Sequence, residues 1–336
     1  MYCGGVVDML IPAYNCEKYI FRLFDSILNQ TYNNIHIIII NDGSTDKTEE
    51  VIYKYEPLFK QRGFSVDIIN QDNLGVSSAV NNGLKYVLGD YLVWPDSDDW
   101  YASNDAIQKM VDALEKTDDD CAIARCAYND ISEADLKLLR TRYPNQPNCP
   151  VYIFKEAVLR EPGFWLEPGG WMLKTKFLDS IIPNREIYHS RLTGQNSQLL
   201  WPFLYYKKCI SIEEPLFNYL VRENSHSRNL FGSYQKKIDQ QEEYYETFIN
   251  VLNSINGLNP QQLEEYNRRL LNYKYYAQFM ISFDYRAMKD SRFFFKELLS
   301  IANHEIPFAC YVKYIFTFIP FMGQVLDLNN KLKNVQ

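Results

Sequence analysis

Along the first hundred residues, apolar blocks with strand character alternate with blocks of helical period. "VVDMLIPAYN" (6–15) is an apolar run ending in a turn and predicts a strand. "EKYIFRLFDSILNQ" (17–30) carries Tyr19, Ile20, Leu23, Phe24, Ile27 and Leu28 at helical spacing. "NIHIIIIND" (34–42) is an Ile-rich run of the kind found in strands buried on both faces. "STDKTEEVIYKYE" (44–56) predicts a helix capped by Ser44 or Thr45. "SVDIIN" (65–70) predicts a third strand, "GVSSAVNNGLKYVLG" (75–89) a third helix and "DYLVWPD" (90–96) a fourth strand. This alternation predicts an α/β fold with a doubly wound, mostly parallel, Rossmann-like sheet and right-handed crossovers. Beyond about residue 232 the pattern changes. Residues 234–255 and 259–283 are helical and dense in Tyr, so a C-terminal helical region is expected. "IPFACYVKYIFTFIPFMGQVL" (306–326) is apolar and aromatic, but Lys313 and Pro320 interrupt it as a spanning helix. It suits a buried interface or a membrane surface.

Composition narrows the classes. A chain of 336 residues with 46% hydrophobic and 23% charged residues is globular and long enough for more than one domain. A formal charge of −7 argues against nucleic acid as a partner. None of the seven Cys are spaced CxxC, so neither zinc nor a disulfide framework is indicated. With no signal peptide visible at "MYCGGVVDML", a cytoplasmic protein with reduced thiols is expected.

Candidate chemistry gathers at the strand ends. "PAYN" (12–15), "NDGSTD" (41–46), "NQDNLG" (70–75) and "PDSDD" (95–99) follow the four predicted strands in turn. In such sheets ligands sit outside the C-terminal strand ends. Alone, "NDGSTD" reads as a turn with a helix cap and "DSDDW" as a solvated loop; together they converge on one edge. Asp96, Asp98 and Asp99 crowd three carboxylates into four positions, which is costly without a cation among them. Hard oxygen ligands favour Mg²⁺ or Mn²⁺, usually held by one or two carboxylates plus substrate phosphates. Neither GxxxxGK[ST] nor a GxGxxG after the first strand is present.

"IPAYNCEKYI", "SILNQTYNNIHIIIINDGSTDKT", "NLGVSSAVNNGLKYVLGDYLVWPDSDDWY" and "EPLFNYLVRENSHS" together resemble the family-2 glycosyltransferases of the GT-A fold. The resemblance covers roughly residues 6–228 and implies transfer of a sugar from a nucleotide-diphosphate donor, usually with inversion. It implies that Asp96-Ser97-Asp98 is the DxD motif, with Asp98 on the metal, Asp96 shared between metal and donor, and Asp99 orienting the site or binding the sugar. It implies Tyr14 stacking on the base, Asp42 accepting from a uracil imide and Asn73 flanking the base. Pro12, Asn15, Gly75, Ser97 and Arg222 complete the implied donor site. Arg222 or His226 could reach the diphosphate or metal, and His226 reads more readily as a loop residue than as a ligand, since nothing local fixes it.

One position departs from the family. Its Glu-Asp pair, whose Asp is the inverting base, corresponds here to Gln195-Asn196 in "SRLTGQNSQLLWPFLYY" (190–206). An amide is no general base near neutral pH. Glu167, His189 and Glu186 are the nearby alternatives, with Asn196 orienting the acceptor hydroxyl. Val80 is a second departure, where the family often has Arg. Trp165 and Trp171 in "EPGFWLEPGGWMLK" (161–174) read as sugar platforms or as core aromatics.

The expected protein is a UDP-sugar-dependent hexosyl- or N-acetylhexosaminyltransferase acting on a glycan or lipid-linked saccharide in surface polysaccharide synthesis. The alternative is a nucleotide-sugar-binding partner that has lost turnover. The expected domains are residues 1–230, with a donor half to about 100 and an acceptor half beyond it, and residues 231–336, for packing, homodimerisation or contact with the inner face of a membrane.

Overall fold

The computed structural model describes residues 4–145, 148–161, 163–190, 193–222, 233–301 and 306–319. His226 and residues 320–326 of the aromatic run lie outside the described residues. The strands are β1 (Val7–Ala13), β2 (Ile35–Asp42), β3 (Ser65–Gln71), β4 (Tyr91–Val93), β5 (Trp100–Tyr101), β6 (Cys121–Ser132), β7 (Leu138–Arg142), β8 (Trp171–Lys174) and β9 (Lys208–Val221). Between them run helices α1 (Ile20–Leu28), α2 (Thr48–Arg62), α3 (Val76–Leu84), α4 (Ala106–Glu115), α5 (Phe154–Leu159), α6 (Leu178–Ile181) and α7 (Asn196–Tyr206).

One sheet runs in the order β3-β2-β1-β4-β8-β6-β9-β5, with β7 on β6. β3, β2, β1 and β4 are parallel, as the alternating pattern predicts. Ile37 to Ile40 of β2 are fully buried, because helices cover both faces of this half. Each buried Ile side chain contributes about 1.5–3 kcal/mol. α1 presents Ile20, Leu23, Phe24 and Ile27 to that core. α3 lies so close to β1 that a Cβ on Gly83 would stand 2.0 Å from Leu10 Cδ1. Beyond β4 the sheet turns mixed: β8 is antiparallel to β4 and β6, while β9 is parallel to β6 and antiparallel to β5. The chain order reverses between β1 and β4, which opens a crevice at their C-terminal ends.

Two boundaries differ from expectation. α2 starts at Thr48, and neither Ser44 nor Thr45 caps it; the Asp46 carboxylate instead takes the Thr48 N–H at 2.9 Å. α3 stops at Leu84, since buried Asp8 draws the N–H groups of Leu88 (2.7 Å) and Gly89 (2.6 Å) into a turn.

Contacts divide the chain into two units, Met1–Ser225 with Asn250–Asn256, and His226–Ile249 with Gly257–Gln336. The C-terminal region contains α8 (Tyr234–Ser254), α9 (Pro260–Asp284), α10 (Met288–Ile301) and α11 (Phe308–Phe316). Asn259 and Gln262 form a reciprocal capping box at the start of α9. Phe279, Phe295, Leu298 and Cys310 form the core of the second unit. Among the described residues no helix is long and apolar enough to cross a membrane.

At the opposite edge of the sheet from the crevice, His36 bridges Asp8 (2.8 Å) and Asp67 (3.0 Å). The hydrogen bond to Asp8, chiefly, raises its pKa above the ordinary histidine value. A raised folded-state pKa means stabilisation that is full below the unfolded value of about 6.5 and is lost as pH rises through the folded value. Urea unfolding at pH 6 and pH 8.5 should therefore show a larger stability gap between wild type and His36→Gln at the lower pH; an equal gap at both would refute the bridge.

Candidate active site

The loop after β1 and the loop after β2 are laced together. Asn15, at a positive φ of 46°, accepts the Thr45 N–H on Oδ1 at 2.8 Å, and its own N–H reaches Ser44 Oγ at 3.1 Å. The Cys16 N–H donates to Thr48 Oγ1 at 2.7 Å, the Lys47 N–H to Glu17 at 2.8 Å and the Glu17 N–H to Asp46 at 3.2 Å. Ser97 stands within hydrogen-bond reach of the Cys16 thiol, which joins the loop after β4 to the same cluster. Tyr14 projects from this lacing and is 40% exposed. Pro12 remains inside β1.

Asp42 ends β2 and is only 3% exposed. It collects the Leu74 N–H (3.0 Å) and Gln71 Nε2 (2.7 Å) on Oδ1, and the Gly75 N–H (2.9 Å) on Oδ2. Asp42 therefore shapes the loop after β3, with two donors on Oδ1 and one on Oδ2. Gly43 allows the approach: at φ 66°, a Cβ there would meet the Asn73 backbone nitrogen at 2.7 Å. Asn73 itself is exposed beside this contact.

The fourth loop holds the carboxylates. Asp96 and Asp98 are partly exposed and Asp99 is buried. Burial first, then the Asp98 charge, pushes Asp96 up to about 7. Asp98 is raised by burial against the opposing pull of Arg222, whose guanidinium is 2.6 Å from its carboxylate. Arg222 also lies over the Tyr19 ring at 4.7 Å, and the Tyr19 hydroxyl donates to Glu133 at 2.7 Å. Asp99 points into the protein: Oδ1 takes the Leu220 N–H at 2.8 Å, and burial raises its pKa well above the usual carboxylate value. Of the two roles expected for Asp99, this geometry matches orienting the site: the carboxylate ties the loop to β9.

Other expected residues fall into two groups. Gln195 Nε2 donates to Asp96 at 3.3 Å, and Trp94 Nε1 donates to Asn196 Oδ1 at 3.2 Å. The amide pair thus braces the fourth loop, so the expected Asn196 contact to an acceptor hydroxyl competes with Trp94. Glu167 sits at the same site: burial raises its pKa, a hydrogen bond with the Tyr128 hydroxyl opposes that rise, and its charge adds to the rise at Asp96 and Asp99. His189 and Glu186 are exposed and make no described contact with the carboxylates. Trp165 and Trp171 are buried, flanking fully buried Arg125 at 5.2 and 5.6 Å from their ring centres. They are core aromatics and not sugar platforms. The sequence reading passed over Arg125, although an Arg inside "CAIARCAYN" was a visible signal. The Tyr19–Glu133–Arg222 contacts had no local signal at all.

Asp96 and Asp98 fit a hard divalent cation, being adjacent oxygen donors already balanced by one cationic group. Among the described residues no three His, Cys, Asp or Glu are arranged as a metal cage. Such a site takes its remaining ligands from water and phosphate. A separate cleft of about 500 Å³ opens at the other end of β4, around Leu88, Asp90, Thr175 and Lys174, and contains none of the expected residues.

A family model described as glycosyl transferase family 2 matches residues 8–178, just over half of the chain. The chain is 28% identical over 235 residues to glycosyltransferase GlyA of Streptococcus pneumoniae, covering 68% of this chain and 32% of that protein. It is 38% identical over 128 residues to an uncharacterized glycosyltransferase of Rickettsia typhi, 38% of each. It is 26% identical over 271 residues to the putative glycosyltransferase EpsH of Bacillus subtilis, 79% of this chain and 72% of that protein. The matches thus span about a third of the length of the first two relatives. Among solved structures, S. aureus TarS 1–349 in complex with UDP superposes with a TM-score of 0.60 at 14% identity, covering 93% of this chain and 89% of that one. The mannosyltransferase PcManGT from Pyrobaculum calidifontis, in complex with GDP-Man and Mn²⁺, gives 0.54 at 14% identity, covering 94% and 84%. At such identity the likeness establishes the fold, a GT-A-type α/β sheet.

Asp42→Ala should remove the acceptor of three donors at once and destabilise the protein by about 2–3 kcal/mol. Denaturant unfolding measures this, and limited proteolysis should find new cleavage within residues 71–75; an unchanged midpoint would contradict the assignment.

Proposed function

The chain belongs to glycosyl transferase family 2, and from that premise we propose that it transfers a sugar from a UDP-sugar to a hydroxyl of a glycan or lipid-linked saccharide, with inversion, in surface polysaccharide synthesis. The observation that carries this reading is the pair of partly exposed carboxylates, Asp96 and Asp98, at the C-terminal end of β4, with Arg222 against Asp98. The donor half of the site lies on β1 to β4, and the acceptor half on the residues that follow.

Tyr14 would stack on the base. Asp42 Oδ1 is filled by two donors, but Oδ2 takes only one, which leaves an acceptor position for the uracil imide. Asn73 would flank the same ring. Asp96 and Asp98 would hold Mg²⁺ or Mn²⁺ on the diphosphate, and Arg222, released from Asp98, would pair with a phosphate oxygen. A bound divalent cation would act as a Lewis acid, offsetting charge that develops on the diphosphate. The acceptor oxygen attacks the anomeric carbon, the bond from that carbon to the phosphate oxygen breaks, and its electron pair leaves with UDP. The acceptor proton passes to Glu167, a carboxylate that burial at this site raises above its ordinary pKa. Gln195 and Asn196 cannot take that proton; they brace Asp96 and Trp94.

Calorimetry should find UDP binding that requires Mg²⁺ or Mn²⁺ in wild type and is lost in Asp98→Ala. Equal affinity in both, with metal present, would remove Asp98 from the site. Glu167→Gln should keep UDP affinity while slowing acceptor-dependent UDP release by at least about 100-fold. A wild type that binds UDP but releases none from any UDP-sugar and acceptor would instead favour the nucleotide-sugar-binding protein, which the amide pair at 195–196 makes conceivable.

A further inference from the structure

α11 has two unlike faces. Cys310, Tyr314 and Thr317 turn inward, and the Tyr314 ring stacks on Phe295 at 4.4 Å. Phe308 and Ile315 face the other side and stay in contact with solvent, at 81% and 60%, joined by Tyr311, whose ring also meets Phe295 at 5.4 Å, and, in the turn after the helix, by Phe318 at 57% and Ile319. On α10, Phe293 and Leu299 are exposed as well, interleaved with exposed Lys289 and Lys296. Arg292 joins the two helices, donating to the Thr317 carbonyl at 2.7 Å while lying 5.0 Å from the Phe318 ring. Contiguous exposed apolar surface of this kind marks an interaction site.

Charge selects the occupant. Residues 306–319 contain no Asp or Glu. Residues 286–336 carry seven Lys or Arg and four Asp or Glu, a net +3 in a chain of net −7, so the remainder carries −10. Two copies meeting through this face would oppose like charges. An anionic surface with an apolar interior satisfies both the basic flank and the aromatic face. A helix of nine residues is about 14 Å long. That is too short for a hydrocarbon layer of about 30 Å but enough to lie along its boundary.

We infer that the α10–α11 face of the second unit seats on an anionic lipid surface, with Phe308, Ile315 and Phe318 entering the headgroup boundary and Lys289 and Lys296 pairing with lipid charge. The inference is independent of sugar transfer and stands or falls without it. Flotation of the full chain with phosphatidylcholine vesicles, with and without phosphatidylglycerol, tests it. Wild type should float with the anionic vesicles, less so at high salt. Phe308→Ser with Ile315→Ser should weaken that binding at least about tenfold, and Lys289→Glu with Lys296→Glu should do so on anionic vesicles. All four side chains are exposed, so thermal midpoints should not move. Wild type that floats with neither vesicle, or variants that float like wild type, would overturn the inference. So would a dimer, seen by light scattering, that the Phe308→Ser and Ile315→Ser pair dissolves while vesicles are ignored.

Discussion

The arrangement of the first unit turns on the ion pair between Arg222 and Asp98. Asp96, Asp98, Asp99 and Glu167 bring four carboxyl groups into one partly dry site, and burial drives the pKa of each upward. Like charges that close cannot all persist without compensation. β9 supplies it from a single strand end: the Leu220 N–H serves Asp99, and two residues later Arg222 serves Asp98. The fourth loop is thereby fixed to a strand more than a hundred residues distant in sequence. The same pair gives the cluster one positive group, held half-buried against the Tyr19 ring.

The neighbouring loops share this economy of preformed contacts. Asn15, Glu17, Asp46 and Thr48 hold the first two loops to each other, and Asp42 holds the third. Every one of these bonds is between groups of the chain itself. Under the proposed function, a nucleotide would meet loops already tied to one another, and less of its binding free energy would go to fixing them. Positive φ at Asn15 is the conformational cost of that order, offset by the bonds around it, while glycine at 43 takes its positive φ without strain.

The sequence announced β1 to β4 because period and strand length are local properties, and it announced the site because polar clusters follow apolar runs. Residue type alone could not say which way a carboxylate points. Asp99 sits in the expected loop yet turns inward, since the Leu220 N–H from a distant strand claims it. Trp165 and Trp171 were equally readable as platforms or core, and Arg125 decided it: a buried guanidinium draws aromatic faces around itself. The antiparallel strands β5 and β8 depend on pairings across long separations, to which hydrophobic period is blind. The exposed face of α11 was legible as an apolar run, but its division into inner and outer sides needed Phe295 to show which side was taken.

The amides at 195 and 196 follow from the same electrostatic constraint. Asp96 already rises to about 7 through burial and the Asp98 charge. A carboxylate at 195 would stand where Gln195 Nε2 now donates, 3.3 Å from Asp96, and would exchange a hydrogen bond for repulsion. With Glu167 inside the site, an acidic pair would raise the number of crowded carboxyl groups from four to six, against a single described cation on Asp98. An amide keeps the shape and the bracing while adding no charge. Under the proposed chemistry the proton acceptor has moved from the head of α7 to Glu167, and the amides hold the site at four carboxyl groups instead of six.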